Sequence, residues 1–212
     1  MLAHVVEAAR RSPQLTDVIV ATDSDEVLAI CRQNGWAAEM TSSAHRSGTD
    51  RVWEVAQRVP ADVYVNIQGD EPLARPEHIA ALLAPMQNPT VMVSTIKTPC
   101  AAVDLNNPSA VKVVTGLDGR ALYFTRATVP FDRDNTGASR RFKHLGFYAY
   151  RRQALEKFCS WPESELERSE RLEQLRFLQH GIDIHVAETA YDTVGVDTEE
   201  DLRTVEGILG SL

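Results

Sequence analysis

Apolar residues at Leu2, Val5, Val6 and Ala9 recur at helical spacing and end at Ser12-Pro13, so the chain is predicted to open with a helix. The run Val18-Ile19-Val20-Ala21, bounded by Asp17 and Thr22-Asp23, predicts a strand. A helical stretch from Asp25 to Asn34 follows, closed by Gly35, which is free to take the left-handed backbone of a helix C-cap. The same order repeats as a strand over 37–40, a helix over 49–59, a strand over 63–67 and a helix over 76–86. Strands alternating with helices predict a mostly parallel sheet covered on both faces.

From Thr90 the rhythm changes. Strand-like runs at 91–95, 111–115, 121–125 and 145–150 have little helix between them, and Asp118-Gly119 is a strong hairpin turn joining two of them. An antiparallel insertion over about 90–150 is expected. Helical patterns return at 153–159 and 165–179, then a strand at 184–187 and a last helix from Thr198. In the 165–179 helix Leu172, Leu175 and Leu178 fall near one stripe. Glu167 and Arg171 stand at i,i+4 on what reads as a mostly solvated face. No repeat or linker interrupts the pattern, so residues 1–212 are expected to form one domain.

The composition narrows the partners. With 212 residues, 43% hydrophobic and 25% charged, the chain is in the globular range, and its net charge of -8 excludes a broad nucleic-acid-binding face. Cys31, Cys100 and Cys159 lie far apart without a zinc-like spacing, and read as buried thiols in a reducing compartment. No apolar run approaches the ~18 residues of a membrane span, and Glu7 interrupts the N-terminal stretch before a signal peptide can build. A cytoplasmic protein with a small-molecule ligand and no membrane association is expected.

The segment Val65-Asn66-Ile67-Gln68-Gly69-Asp70-Glu71-Pro72 runs from an apolar strand into two carboxylates. At the C-terminal edge of an α/β sheet a carboxylate can hold a magnesium ion carrying nucleotide phosphates; an acidic turn is the bland alternative. Asp197-Thr198-Glu199-Glu200 stands at the start of the last helix, where either Asp197 or Thr198 would also serve as a cap, so cap and metal ligand both stay open. His45 to Arg51 surrounds Gly48 with polar residues leading into a helix, as suits a loop approaching a ligand closely. His144, Gly146 and Tyr148 share one face of a strand, where they either touch a polyol or simply pack.

These motifs, in this order, resemble the sugar-activating cytidylyltransferases, and most closely the family of CMP-Kdo synthetases (3-deoxy-manno-octulosonate cytidylyltransferases). The resemblance runs from VIVATD through HRSGTDR, VNIQGDEP, ALYFTRATVPFDRD, KHLGFYAYR and LEQLR to GVDTEEDL. VNIQGDEP and GVDT also fit a wider group that includes CMP-sialate synthetases; HLGFYAYR and LEQLR favour Kdo.

The resemblance implies a Rossmann-like three-layer nucleotidyltransferase fold. It implies transfer of CMP from CTP to Kdo, for lipopolysaccharide biosynthesis, with release of pyrophosphate. Asp70 and Asp197 would bind Mg2+ and carry the catalysis. Ser47, Gly48, Thr49, Arg51 and Gln68 would hold the nucleotide, and Arg126, His144, Tyr148, Glu173 and Gln174 the acidic sugar. A homodimer through the 90–150 region is implied as well. The family opens with a buried strand and a phosphate-cradling loop rich in Arg, Ser, Gly and Lys, and Met1 aligns just after that loop. An N-terminally incomplete domain with an unpaired sheet edge and little or no activity is therefore expected. A cytidylyltransferase for sialic acid or 8-amino-Kdo, or a noncatalytic nucleotide- or sugar-binding homologue, are the alternatives.

Overall fold

The computed structural model describes residues 1–134, 136–137 and 139–210. Helix α1 (Leu2–Arg10) buries Val5, Val6, Ala8 and Ala9. Strand β1 (Ile19–Thr22) leads into α2 (Asp25–Asn34), whose start is capped by Ser24 Oγ and whose end is Gly35 at φ 66°. Strand β2 (Ala37–Met40), α3 (Gly48–Arg58), β3 (Tyr64–Asn66) and α4 (Pro76–Leu83) follow. The next strands are β4 (Val93–Pro99), β5 (Lys112–Thr115), β6 (Ala121–Thr125) and β7 (Phe142–Tyr150). Helices α5 (Arg152–Ser160), α6 (Glu165–Glu170) and α7 (Leu175–Gln179), strand β8 (Ile184–Glu188) and α8 (Glu199–Leu209) complete the chain.

The sheet is mixed. β4 lies between β8, parallel to it, and β7, antiparallel to it. β7 spends its other edge twice, pairing near its C-terminal end with β3 and near its N-terminal end with β5, which carries the β6 hairpin. Strands β3, β4 and β8 therefore run one way, with β7 threaded back between β3 and β4. The antiparallel character expected for the whole 90–150 stretch is narrower than that, because β4 belongs to the main sheet and takes a parallel partner that lies some 90 residues on. Periodicity cannot distinguish a central strand from a hairpin strand when both are apolar.

Among the described residues the chain's first two strands pair only with each other, in parallel register from Ile19–Ala37 to Thr22–Met40. Among the described residues β1 and β3 each keep an unpaired edge, and both line one cavity of about 640 Å³.

Two apolar layers enclose the main sheet. On one face Tyr148 and Tyr150 of β7 pack with Phe158 and Phe177; on the other Leu145, Phe147 and Ala149 pack with Ile79 and Leu82 of α4. Phe124, Phe147, Phe158 and Phe177 are almost fully buried, each worth about 1.5–3 kcal/mol of apolar burial.

The predicted 165–179 helix is broken. Arg171 takes left-handed backbone (φ 54°) and separates α6 from α7. The predicted Glu167–Arg171 pair does not form; Glu167 instead receives Nε (2.8 Å) and Nη2 (2.5 Å) of Arg176, and both residues are buried. The break lets Arg176 fold back over α6 and lie on the Phe158 ring, a bidentate arrangement that a continuous helix would not allow. Glu167 and Arg176 are therefore interior, while Arg168 and Arg171 remain exposed.

Candidate active site

Asp70 stands in the turn that follows β3, and Asp197 immediately precedes α8. The cap of α8 is Thr198: its hydroxyl accepts from Asp201 N (3.2 Å), and the Asp201 carboxylate accepts from Thr198 N (2.9 Å). Capping therefore does not consume Asp197. The two acidic loops are joined directly, Val196 N donating to the Asp70 carbonyl at 2.9 Å. Burial, and beyond it the charge of Asp197, raises the Asp70 carboxyl above its ordinary value. The structure thus brings together two carboxylates that lie far apart in sequence.

Glu71 lies deeper. Its carboxyl is pushed up to about 7, chiefly by burial, with Asp70 and Asp192 adding to the effect and the Thr193 hydroxyl and Lys143 opposing it. Thr193 Oγ1 donates to Glu71 Oε2 at 2.7 Å. Lys143 Nζ, from β7, reaches Asp192 Oδ1 (2.9 Å), Asp104 Oδ2 (3.4 Å) and the Thr193 carbonyl (3.1 Å). Burial works against its charge, but Asp192 and Asp104 outweigh it and raise its pKa.

The proposed nucleotide residues gather at the start of α3. Ser47 is the helix cap, accepting from Asp50 N (3.1 Å) and donating to Asp50 Oδ2 (2.9 Å). Gly48 lies against the end of β3, where an added Cβ would come within 3.3 Å of Asn66 Nδ2. Arg51 bonds the Thr41 hydroxyl and pairs with Asp23 at 3.3 Å. Gly48, Arg51 and Gln68 line the same cavity as β1 and β3, with Asn66 and Gly69 beside them. Thr49 points elsewhere. It is fully buried, donates to Glu173 Oε1 (3.0 Å) and accepts from Tyr150 OH (3.1 Å).

That contact connects the nucleotide-side helix with the proposed sugar residues. Glu173 has its carboxyl raised by burial, and its Oε2 is enclosed without a partner. Tyr150 stacks on Tyr148 at 5.7 Å, and Tyr148 adjoins the His144 ring at 5.5 Å. His144 Nε2 meets Thr95 Oγ1 at 2.9 Å, and burial depresses the imidazole to about 3, so it is neutral. Gln174 is buried at the start of α7. Arg126 stands apart from this column. Its guanidinium is tied to the carbonyls of Glu170 (2.8 Å), Pro108 (2.9 Å) and Arg171 (3.4 Å), so it anchors the turn that leads to Glu173 and Gln174.

Sequence reasoning passed over Lys143, Tyr150 and Thr193. Tyr150 has the parity of His144 and Tyr148 in KHLGFYAY, so the strand period alone would have placed it on their face. Nothing local marked Lys143 or Thr193, because each acts on a loop distant in sequence.

Among the described residues no group of three or more His, Cys, Asp or Glu side chains is arranged to hold a metal ion. Two carboxylates with the remaining positions open to water and phosphate oxygens still suit Mg2+, which keeps several waters and seldom takes an all-protein cage.

A three-layer α/β domain with two acidic loops joined at its sheet edge is the framework of a nucleotidyltransferase. Residues 1–184 match the family model described as cytidylyltransferase, and the chain belongs to the cytidylyltransferase family. It is 66% identical over 211 residues to the 3-deoxy-manno-octulosonate cytidylyltransferase of Koribacter versatilis (strain Ellin345), covering 100% of this chain and 80% of that protein. It is 58% identical to the enzyme of the same name from Acidobacterium capsulatum, over 99% of this chain and 85% of the relative. The solved structure of CMP:2-keto-3-deoxy-manno-octonic acid synthetase complexed with CTP superposes with a TM-score of 0.94 at 41% identity, covering 99% of this chain and 87% of that one.

Proposed function

We propose that this protein transfers the cytidylyl group of CTP to Kdo, giving CMP-Kdo and pyrophosphate. The observation that carries the reaction type is the junction of the Asp70 and Asp197 loops at the sheet edge. The identities to enzymes named for this sugar carry the substrate. The anomeric hydroxyl of Kdo gives up its proton to solvent as its oxygen forms a bond to the α-phosphorus, the bond from that phosphorus to the bridging oxygen breaks, and pyrophosphate leaves with the electron pair. Such a reaction rests on positioning and charge compensation, with little covalent work for the protein.

Gly48 lets the start of α3 approach the end of β3, and with Ser47, Arg51 and Gln68 it forms the nucleotide side. Asp70 and Asp197 are the residues that would hold Mg2+. Bound there, the cation would neutralise phosphate charge and lower the pKa of the attacking hydroxyl. On the sugar side, the unpartnered Glu173 Oε2 is an acceptor suited to a sugar hydroxyl, while Thr49 keeps its other oxygen occupied. Tyr148, neutral His144 and Gln174 line the same column, and Arg126 holds its entrance turn.

We also place the protein in the cytoplasm. Three free thiols support a reducing compartment, and no helix of the described residues is long and apolar enough to cross a membrane. Val103, Leu117, Leu122 and Phe131 are exposed in the antiparallel region and support a homodimer built there. Leu122→Glu is then expected to convert a sedimenting dimer to monomer, and a native protein that sediments only as monomer at micromolar concentration would refute the dimer.

The test of function is a coupled pyrophosphate assay with CTP and Mg2+. Any release is expected to be greater with Kdo than with sialic acid or 8-amino-Kdo. Preference for either of the latter sugars overturns the assignment.

A further inference from the structure

The loop from Asp192 to Asp197 carries one of the two proposed metal ligands, yet little of its own secondary structure holds it; the residues between β8 and α8 are neither helix nor strand. Its position is set by contacts to other elements. Lys143 grips its beginning through Asp192 and the Thr193 carbonyl. Val196 N grips its end through the Asp70 carbonyl. Between these two points the contact falls to Glu71: Thr193 Oγ1 donates to Glu71 Oε2 at 2.7 Å, and Glu71 Oε1 lies 3.4 Å from where a Cβ on Gly195 would be. Glu71 thus lies beside the loop, bonded to it at Thr193 and facing the Cα of Gly195, where a side chain would meet it.

We infer that the Glu71–Thr193 hydrogen bond is a positioning clasp that sets Asp197 against Asp70. This rests on the reading of those two residues as a shared metal site. Thr193 is 3% exposed, so water cannot take the place of the hydroxyl. Glu71 follows Asp70 directly in one tight turn, and Asp197 is four residues beyond Thr193, so a shift of the clasp moves both carboxylates relative to each other. An oxygen-ligated cation holds only when its few protein donors are preset, and partners that orient ligands from behind are typically worth about 10–100-fold in metal affinity.

The experiment measures Mn2+ binding to the protein in the presence of CTP by electron spin resonance, alongside urea unfolding without metal. Thr193→Val removes the donor while keeping the shape; about tenfold weaker Mn2+ binding is expected. Thr193→Ser restores the hydroxyl and is expected to bind within about twofold of the unsubstituted protein. Glu71→Gln retains an acceptor oxygen and is expected to bind similarly well. Should Thr193→Val not fold, Thr193→Ala, which also removes the donor, is expected to weaken Mn2+ binding in its place. Undiminished binding by the folded Val variant, or by Thr193→Ala when it stands in, overturns the clasp, as does failure of the Ser variant to recover. Loss of binding in Glu71→Gln comparable to that of Asp70→Ala would make Glu71 a ligand and not a positioner, which also overturns it. If the unsubstituted protein binds no Mn2+ beyond what CTP alone binds, the shared metal site falls, and the clasp falls with it.

Discussion

Two regions of this molecule hold buried or half-buried carboxylates, and they solve the electrostatic problem in opposite ways. In the α6–α7 corner Glu167 is met by a bidentate guanidinium from Arg176, so the pair is neutral as a unit and its geometry is closed. At the sheet edge half-buried Asp70 and Glu71 adjoin the exposed Asp197, none of the three pairs with an arginine among the described residues, and burial and mutual repulsion raise Asp70 and push Glu71 up to about 7. Lys143 is turned toward Asp104 and Asp192. A closed pair stabilises a corner of the fold, whereas an acidic cluster short of cations has capacity left for an added one. The contrast separates structural from functional acids better than residue type or burial does.

The largest effect expected from this contrast is on chemistry. Asp70→Ala should reduce pyrophosphate release by about a thousandfold or more, with the urea unfolding midpoint unchanged or raised, because it relieves repulsion. Full turnover in that variant would erase the distinction. The mirror-image change is Glu167→Ala, which strands Arg176 inside the protein and should cost about 3–5 kcal/mol of stability. A loss below about 1 kcal/mol in urea unfolding would mean that the corner pair is no more than a surface ion pair.

A third substitution examines a carboxylate between these extremes. Glu173→Gln keeps the shape but alters the oxygen that stands without a partner, and is expected to raise KM for Kdo by roughly 10–100-fold while leaving KM for CTP within about twofold. An equal rise in both would move Glu173 out of the sugar side.

The smallest effect is a pH slope. His144 is held neutral in the fold, its pKa taken down from 6.5 to about 3 by burial, so the unfolded chain binds the extra proton first. The stability this represents is present above about 6.5 and is lost as pH falls toward 3, amounting to about 2 kcal/mol between pH 7 and 5. Urea unfolding of His144→Gln should show a correspondingly flatter loss over that range. An unchanged slope would assign the pH dependence to other groups, His78 first among them, since burial lowers it too.

The order and type of the elements were legible because they depend on local pattern. The apolar spacing of α1, the Ser24 and Gly35 boundaries of α2 and the Asp118-Gly119 hairpin are decided within a few residues of sequence. The acidic motifs around Asp70 and Asp197 were visible for the same reason, as carboxylates placed at the ends of apolar runs. Only the tertiary structure decided that these two loops join through Val196 and Asp70, that β7 reverses between β3 and β4, and that Glu167 takes Arg176 in preference to Arg171. Each of these outcomes depends on which distant groups compete for one donor or one sheet edge. That competition is settled by the free energy of the assembled core, which no window along the chain contains.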